Sequence, residues 1–314
     1  MNRYVLRRLA LGVPTFLLVS ILSFLMLRLI PGDVIDLMVQ DFGYGGEVER
    51  LKAELGMDKP LAVQYFDWLG AVAHGDLGNS LWTKRPVAQE LSWRYPVTLE
   101  MSILALLMSL VISIPIGIIT AVRQDTWTDY LLRSIAIGGI AIPSLWIATL
   151  VLTLPSVWFG WVPPLRYVPF TENPIANLSV MFLPAAITSI ALSGRTIRIT
   201  RGMVLEVLRQ DYIRTAWSKG LTERTILYRH ATKNALIPVI SVIGLEIPFL
   251  LGGTVIMEQI FNLPGMGLYM LQTLQKRDYV PAQSIILIFA GATVLINLAV
   301  DLLYSYVDPR IRYG

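Results

Sequence analysis

Few residues in this 314-residue chain have types and spacings that could make or break bonds. There is no cysteine, which excludes thiolate nucleophiles, disulfides and cysteine metal sites. The two histidines, His74 and His230, both fall outside the long apolar stretches. A zinc helix of the H-E-x-x-H pattern is missing. So is a G-x-x-x-x-G-K-[ST] loop, whose backbone amides cradle the phosphates of ATP. An intramembrane serine hydrolase needs a base beside its serine at membrane depth, and neither histidine stands there. The sequence therefore predicts no catalytic residue, no metal ligands and no cofactor held by this chain.

Two other features have chemical potential. Glu246 lies in Gly244-Leu-Glu-Ile-Pro248, midway along an apolar stretch. An ionisable group at the bilayer centre costs about 2.5–3.5 kcal/mol or more unless paired or hydrated, so it is expected to face the bundle interior. Two readings stand: Glu246 lines a solute path and favours cationic groups such as a peptide's amino terminus, or it is protonated and hydrogen-bonded between helices. Pro248 and Gly252-Gly253 predict a bend or tight packing nearby. The second feature is residues 211–220, Asp-Tyr-Ile-Arg-Thr-Ala-Trp-Ser-Lys-Gly. Ile213, Ala216, Trp217 and Gly220 repeat at i, i+3, i+4, i+7, which gives a short helix one small, apolar side. Gly220 suits the left-handed position that ends a helix. Thr222 can cap the next helix, with Glu223 in its first turn. A helix this short is unstable alone in water. It must lie in a partner's groove or on the inner leaflet, fixed by arginines and anionic lipid.

The elements that carry these residues are membrane spans. The chain is 54% hydrophobic and 15% charged, against roughly 25% charged in an average soluble protein, and its mean hydropathy is +0.59. Six stretches approach the roughly 20 apolar residues a spanning helix needs: 9–29, 97–122, 130–159, 174–192, 236–257 and 283–306. The third is over-long and is expected to bend near Pro143. Pro115, Pro155 and Pro184 mark further candidate bends. Arg3, Arg7 and Arg8 precede the first stretch, which is too long for a signal core of about 7–15 residues, so a retained anchor is expected. The net charge of +4 suggests nucleic acid, but the basic residues gather between apolar runs. Arg195, Arg198, Arg201, Arg209, Arg214 and Lys219 belong to one such segment, whereas acids dominate the segment after the first span. The positive-inside rule then places both termini and the arginine-rich loop in the cytoplasm. In the long outer segment, Leu61, Tyr65, Trp68, Leu69 and Val72 predict a helix stopped at His74-Gly75. Trp158, Trp161 and Tyr167 fit an interfacial aromatic belt, and Asp301 an interfacial or inter-helix contact.

Residues 211–220, followed by Arg229-His-Ala-Thr-Lys-Asn-Ala-Leu-Ile-Pro238, resemble the cytoplasmic EAA loop of bacterial ABC-importer permeases, and more narrowly the dipeptide/oligopeptide/nickel branch. Further matching pieces are Tyr4-Val-Leu-Arg-Arg8, Pro31-Gly-Asp33, Gly56-Met-Asp-Lys-Pro-Leu61, Gln64-Tyr65 and Gly75-Asp-Leu-Gly-Asn-Ser80. Pro264-Gly265, Arg277-Asp-Tyr279 and Asp308-Pro-Arg-Ile-Arg312 complete the set, in this order along nearly the whole chain. The resemblance implies an all-α membrane protein with the type I importer permease fold. It would have six transmembrane helices, both termini in the cytoplasm, a cytoplasmic coupling helix and an extracytoplasmic helical loop. Residues 1–30 would be the tail and first span, 31–96 the outer loop, and 97–314 the five-helix core, with a coupling loop at about 195–235. Asp211, Tyr212, Ile213, Arg214, Thr215, Ala216, Trp217 and Gly220 would couple to an ATPase.

Implied partners are a second homologous permease, two ATP-binding subunits that hold ATP and magnesium, an external solute-binding protein and the lipid bilayer, with no nucleic acid. The location would be a bacterial or archaeal cytoplasmic membrane. Two departures matter: Arg214 replaces the motif's first acid, and His230 and Lys233 stand where other branches have isoleucine and proline. The Ile-Pro pair is displaced to Ile237-Pro238. The rival reading, a secondary transporter without ATPase partners, predicts inverted repeats and paired broken helices with midplane ion ligands, and no such repeat is visible. The permease sequence does not discriminate dipeptide, oligopeptide, nickel chelate, glutathione or oligosaccharide.

Overall fold

A computed structural model describes residues 2–29 and 56–307, with side chains described over 10–29 and 56–302. Pro31-Gly-Asp33, the acids of 33–54 and Asp308-Pro-Arg-Ile-Arg312 lie outside the described residues. Apart from turns and one isolated bridge between Asn79 and Pro86, the described chain is helical. The helices are α1 Asn2–Leu29, α2 Leu61–Ala73, α3 Val87–Val122, α4 Trp127–Ala141 and α5 Ser144–Phe159. They continue as α6 Pro174–Leu208, α7 Asp211–Ser218, α8 Glu223–Ile260, α9 Met266–Gln275 and α10 Tyr279–Val307. Residues Ile226–Thr232 of α8 form a π-helical segment.

Among the described residues, five helices are long and apolar enough to cross a membrane: Ala10–Leu29, Val87–Val122, Pro174–Leu208, Glu223–Ile260 and Tyr279–Leu302. Three of them outrun the apolar stretches read from the sequence. The 36 residues of α3 are about 54 Å long at 1.5 Å per residue, against a hydrocarbon core of about 30 Å. Apolar patterning marks the lipid-embedded part, while the helix continues into polar surroundings. The stretch 130–159 is two helices, α4 and α5, which pass the same test together but meet at 93°. Pro143 disfavours the helical conformation at the residue before it, and Ile142 is accordingly extended at φ −86°, ψ 122°.

The chain forms two compact units, each with its own core. The first comprises Met1–Val97 and Pro264–Leu295. Here Leu27 packs with Leu81, Tyr279 and Ala282, and Val87 and Leu91 pack with Met266, Tyr269 and Ile285. The second comprises Thr98–Leu263 and Ile296–Gly314. Its clusters are built on small residues, Ala105 with Ala185 and Leu250, and Ala121 with Val204 and Ala235. Lipid gives no hydrophobic drive for helices to associate, so close backbone approach matters. A Cβ on Gly194 would lie 2.4 Å from the Ala136 carbonyl oxygen, and one on Gly244 2.4 Å from Val300. The tight packing expected at Gly252-Gly253 is not found among the described residues: outside their own helix, no atom lies within 4 Å of a Cβ added to either.

Candidate functional site

The chain leaves α6 through Arg209 and the extended Gln210 (φ −74°, ψ 149°) and starts α7 at Asp211. Asp211 lies in the first turn, where a carboxylate suits the helix dipole, and it pairs with Arg214 one turn on; both are largely exposed. The stop is a Schellman motif. Gly220 adopts φ +75°, its N–H donates to Trp217 O at 2.9 Å, and Leu221 N–H donates to Ala216 O at 3.4 Å. Thr222 precedes the next helix as expected, but its hydroxyl meets that of Thr225 at 2.9 Å and caps no backbone amide.

The apolar side of α7 is divided between two environments. Ile213 and Ala216 are buried (1% and 7% exposed) against Ile226 and Ala231 of the π segment and Val207 and Leu208 of α6. Trp217 and Tyr212 remain 49% and 42% exposed. The helix is therefore held by its own chain, which neither the partner groove nor the leaflet surface anticipated. Its short linkers on both sides fold it back between the ends of α6 and α8. The Tyr212 hydroxyl accepts from Asn234 Nδ2 at 3.0 Å, a second tie to α8. The wide i→i+5 turn beneath it is a form that recurs at functional sites. Arg214, Thr215 and Trp217 point away from the buried cluster, since all three are exposed.

Glu246 is buried (4% exposed) between α8 and α6. Thr196 Oγ1 donates to its Oε2 at 3.4 Å, and Arg195 Nη1 lies 3.7 Å from Oε1. Glu246 and the α7 residues are not brought together by any hydrogen bond or ion pair among the described residues. A second carboxylate of α8, Glu258, accepts from Thr98 Oγ1 at 2.7 Å.

Asp129, fully buried, was not read from the sequence. Its carboxylate receives both Arg201 nitrogens, at 3.1 and 3.0 Å, and the Asp125 N–H at 3.1 Å, with Arg133 at ion-pair distance, 3.2 Å. Thr126 Oγ1 caps α4 by accepting from Asp129 N–H. The available signal was Thr126-Trp-Thr-Asp129 ahead of an apolar run, a capping-box spacing. Arg201, counted for topology, is the ion partner that ties α4 to α6. In the first unit, two motif pieces meet. Asp278 Oδ2 accepts from Ser80 Oγ at 2.5 Å and Oδ1 from Leu81 N–H at 3.1 Å. Burial pushes the Asp278 carboxyl above its usual range, against the opposing pull of those bonds. The Tyr269 phenol is pushed up to about 12 by burial, Asp278 and Glu90. No three acidic or histidine side chains converge as metal ligands would among the described residues.

Comparison with known proteins agrees with this architecture. Residues 113–313 match the family described as binding-protein-dependent transport system inner membrane component, and residues 1–102 match its N-terminal companion family. A Brucella abortus permease, named provisionally for peptide transport, is 41% identical over 313 residues and covers 100% of both chains. The dipeptide transport system permease protein of Escherichia coli K12 is 36% identical over 337 residues, covering 100% of this chain and 99% of its own. A chain of an inward-facing MetNI methionine ABC transporter shares the fold. It has a TM-score of 0.55 at 16% identity, over 73% of this chain and 97% of its own.

Proposed function

We propose, from the premise that this chain belongs to the family of binding-protein-dependent transport system inner membrane components, that it is the permease of an ATP-driven peptide importer. In this reading it takes dipeptides, oligopeptides or similar small solutes from an external binding protein and passes them into the cytoplasm. Membership makes it a multi-pass inner-membrane subunit and weighs against the secondary transporter. Peptide as cargo rests on the names of its relatives. ATP and magnesium would be held by two partner ATPases, and a second, similar permease would complete the path. Counting α4 and α5 as one broken span gives six spans, with both termini and α7 in the cytoplasm. Gly252 and Gly253, with open space beside them, suit the approach of a second permease's backbone.

The observation that carries the coupling role is the division of α7. Its buried side ties it to the ends of two membrane helices, and its exposed side offers Trp217 and Tyr212 to a partner. Aromatic residues of this kind commonly dominate interface energies. A push on α7 by a closing ATPase would reach α6 through Val207 and Leu208, and α8 through Ile226 and Ala231. That is the rigid-element transmission required to switch a helical bundle between two states. Of the two readings of Glu246, its bond to Thr196 supports the contact between helices; unchanged uptake of cationic and neutral solutes by Glu246→Gln would remove any pathway role.

The test is co-purification after mild detergent extraction, with mass spectrometry of what stays bound. A second permease and ATPase subunits are expected. A solitary chain that transports in liposomes without ATP would overturn the proposal.

A further inference from the structure

We propose that the first unit binds a membrane phospholipid, with the lipid phosphate held in a donor-lined cavity at the C-terminal end of α1. Arg28 stands one residue from the end of the span Ala10–Leu29, and Gln283 lies early in the span Tyr279–Leu302. With Trp68 of α2 they line a cavity of about 220 Å³, larger than a single ordered water needs. Three buried polar atoms of these residues have no hydrogen-bond partner among the described residues: Arg28 Nη1, Trp68 Nε1 and Gln283 Nε2. All three are donors. Gln283 is 2% exposed, so its amide cannot turn to solvent. Leaving a buried donor unmade costs about 1–3 kcal/mol, and three such donors on residues of one wall favour an acceptor-rich ligand.

The remaining wall groups are already engaged. Arg28 Nε donates to Gln64 Oε1 at 3.0 Å, and the Gln64 amide donates to Met57 O and Lys59 O. Among the described residues the one carboxylate in the wall, Asp67, is paired with Lys59 at 2.9 Å. Asp278, before α10, is turned to Ser80 and Leu81. The first residues of α10, Tyr279 and Val280, also line the cavity, so the positive end of a long helix dipole adds to the Arg28 charge. The site therefore selects an anion with several oxygens.

A free anion would not explain the neighbouring groove. Ile21, Phe24 and Leu25 of α1 and Leu61, Tyr65 and Phe66 of α2 line an apolar space of about 360 Å³. The Tyr65 hydroxyl is turned to Ser20, which leaves its ring to the groove. Phe24 of the groove stands next to the donor residues, its ring 3.6 Å from Arg28 Cζ and 5.9 Å from the Trp68 ring. From Arg28, Phe24 and Ile21 lie about 6 and 10 Å farther into the span at 1.5 Å per residue. A lipid whose phosphate sits at Arg28 would thus have an apolar groove on the bilayer side for its acyl chain.

The test is native mass spectrometry of the full-length chain in dodecyl maltoside, titrated with dioleoyl phosphatidylglycerol or with a galactosyl diacylglycerol of the same acyl chains. One phosphatidylglycerol is expected to bind at least about 10-fold more tightly than the galactolipid, as loss of charge-assisted bonds implies. Arg28→Gln should abolish that preference. Trp68→Phe, which removes only the N–H, should weaken it several-fold without altering thermal unfolding. Equal binding of the two lipids by the unaltered protein would overturn the proposal, whatever the variants do. Displacement of the lipid by excess inorganic phosphate would do so too, by assigning the cavity to a free anion.

Discussion

Ile213→Ala and Trp217→Ala strike the two sides of α7 separately, and their effects are expected to separate as well. Ile213 is 1% exposed; truncation removes three carbons, about 2.4 kcal/mol at 0.8 kcal/mol per methylene. A residual cavity raises the cost into the range of about 2–5 kcal/mol. An eight-residue helix has no stability of its own to absorb that loss, so α7 should undock from Val207, Leu208, Ile226 and Ala231. Trp217, half exposed, should change the isolated chain's stability by no more than about 0.5 kcal/mol. Its side chain becomes costly to lose only when a partner covers it. An interface anchor worth about 2 kcal/mol corresponds to roughly 30-fold in Kd. Hydrogen exchange of residues 209–222 in the isolated chain reads the first effect, and affinity for the partner ATPases in nanodiscs reads the second. Faster exchange in Ile213→Ala, with protected exchange but weak ATPase binding in Trp217→Ala, is the expected pattern. The reasoning fails if Trp217→Ala frees the helix while leaving ATPase affinity intact, for then the exposed side is not the partner's side.

Asp129→Ala removes a buried carboxylate from between Arg201 and Arg133 and leaves charge without a counter-ion, at a cost of about 3–5 kcal/mol. A lower apparent unfolding temperature is expected, with partial recovery in the double variant Asp129→Ala, Arg201→Met; equal unfolding temperatures for all three proteins would refute the pairing. Asp278 makes a pH prediction whose sign follows from its raised folded-state value. The folded form holds the proton more tightly than the unfolded chain does, at a carboxyl value near 3.9. Its stabilising contribution is complete below that value and is lost as pH rises through the folded-state value. Asp278→Asn should therefore gain stability relative to the unaltered protein as pH is raised from about 4, and a difference that does not change with pH would contradict the assignment.

Much of this architecture is local and was legible in the residues. The helix 61–73 follows from apolar spacing, and the 93° break was expected near Pro143, whose ring disfavours helix at the residue before it. The short helix at 211–220 was legible for the same reason: its apolar spacing predicts it and Gly220 suits its stop, where the chain turns at φ +75°. The apolar side of α7 could not be read correctly from spacing, because spacing puts Ile213, Ala216 and Trp217 on one side but does not say which of them a neighbour will cover. Asp129 escaped notice although Arg133 stands one turn on, because the partner that ties it to another helix, Arg201, lies 72 residues away.

By itself, the sequence determined that this chain lives in a bilayer, where its apolar stretches lie and which short segment breaks out of them. Bilayer thickness and backbone preference act residue by residue, and so leave their mark on composition and spacing. Only the tertiary structure decided that Gly194 and Gly244, and not Gly252-Gly253, pack closely against a neighbouring helix among the described residues. It alone joined Ser80 to Asp278 across 198 positions, and gathered Arg28, Trp68 and Gln283 around one cavity. Those outcomes depend on which surfaces the chain's path brings into contact, and no local pattern encodes that.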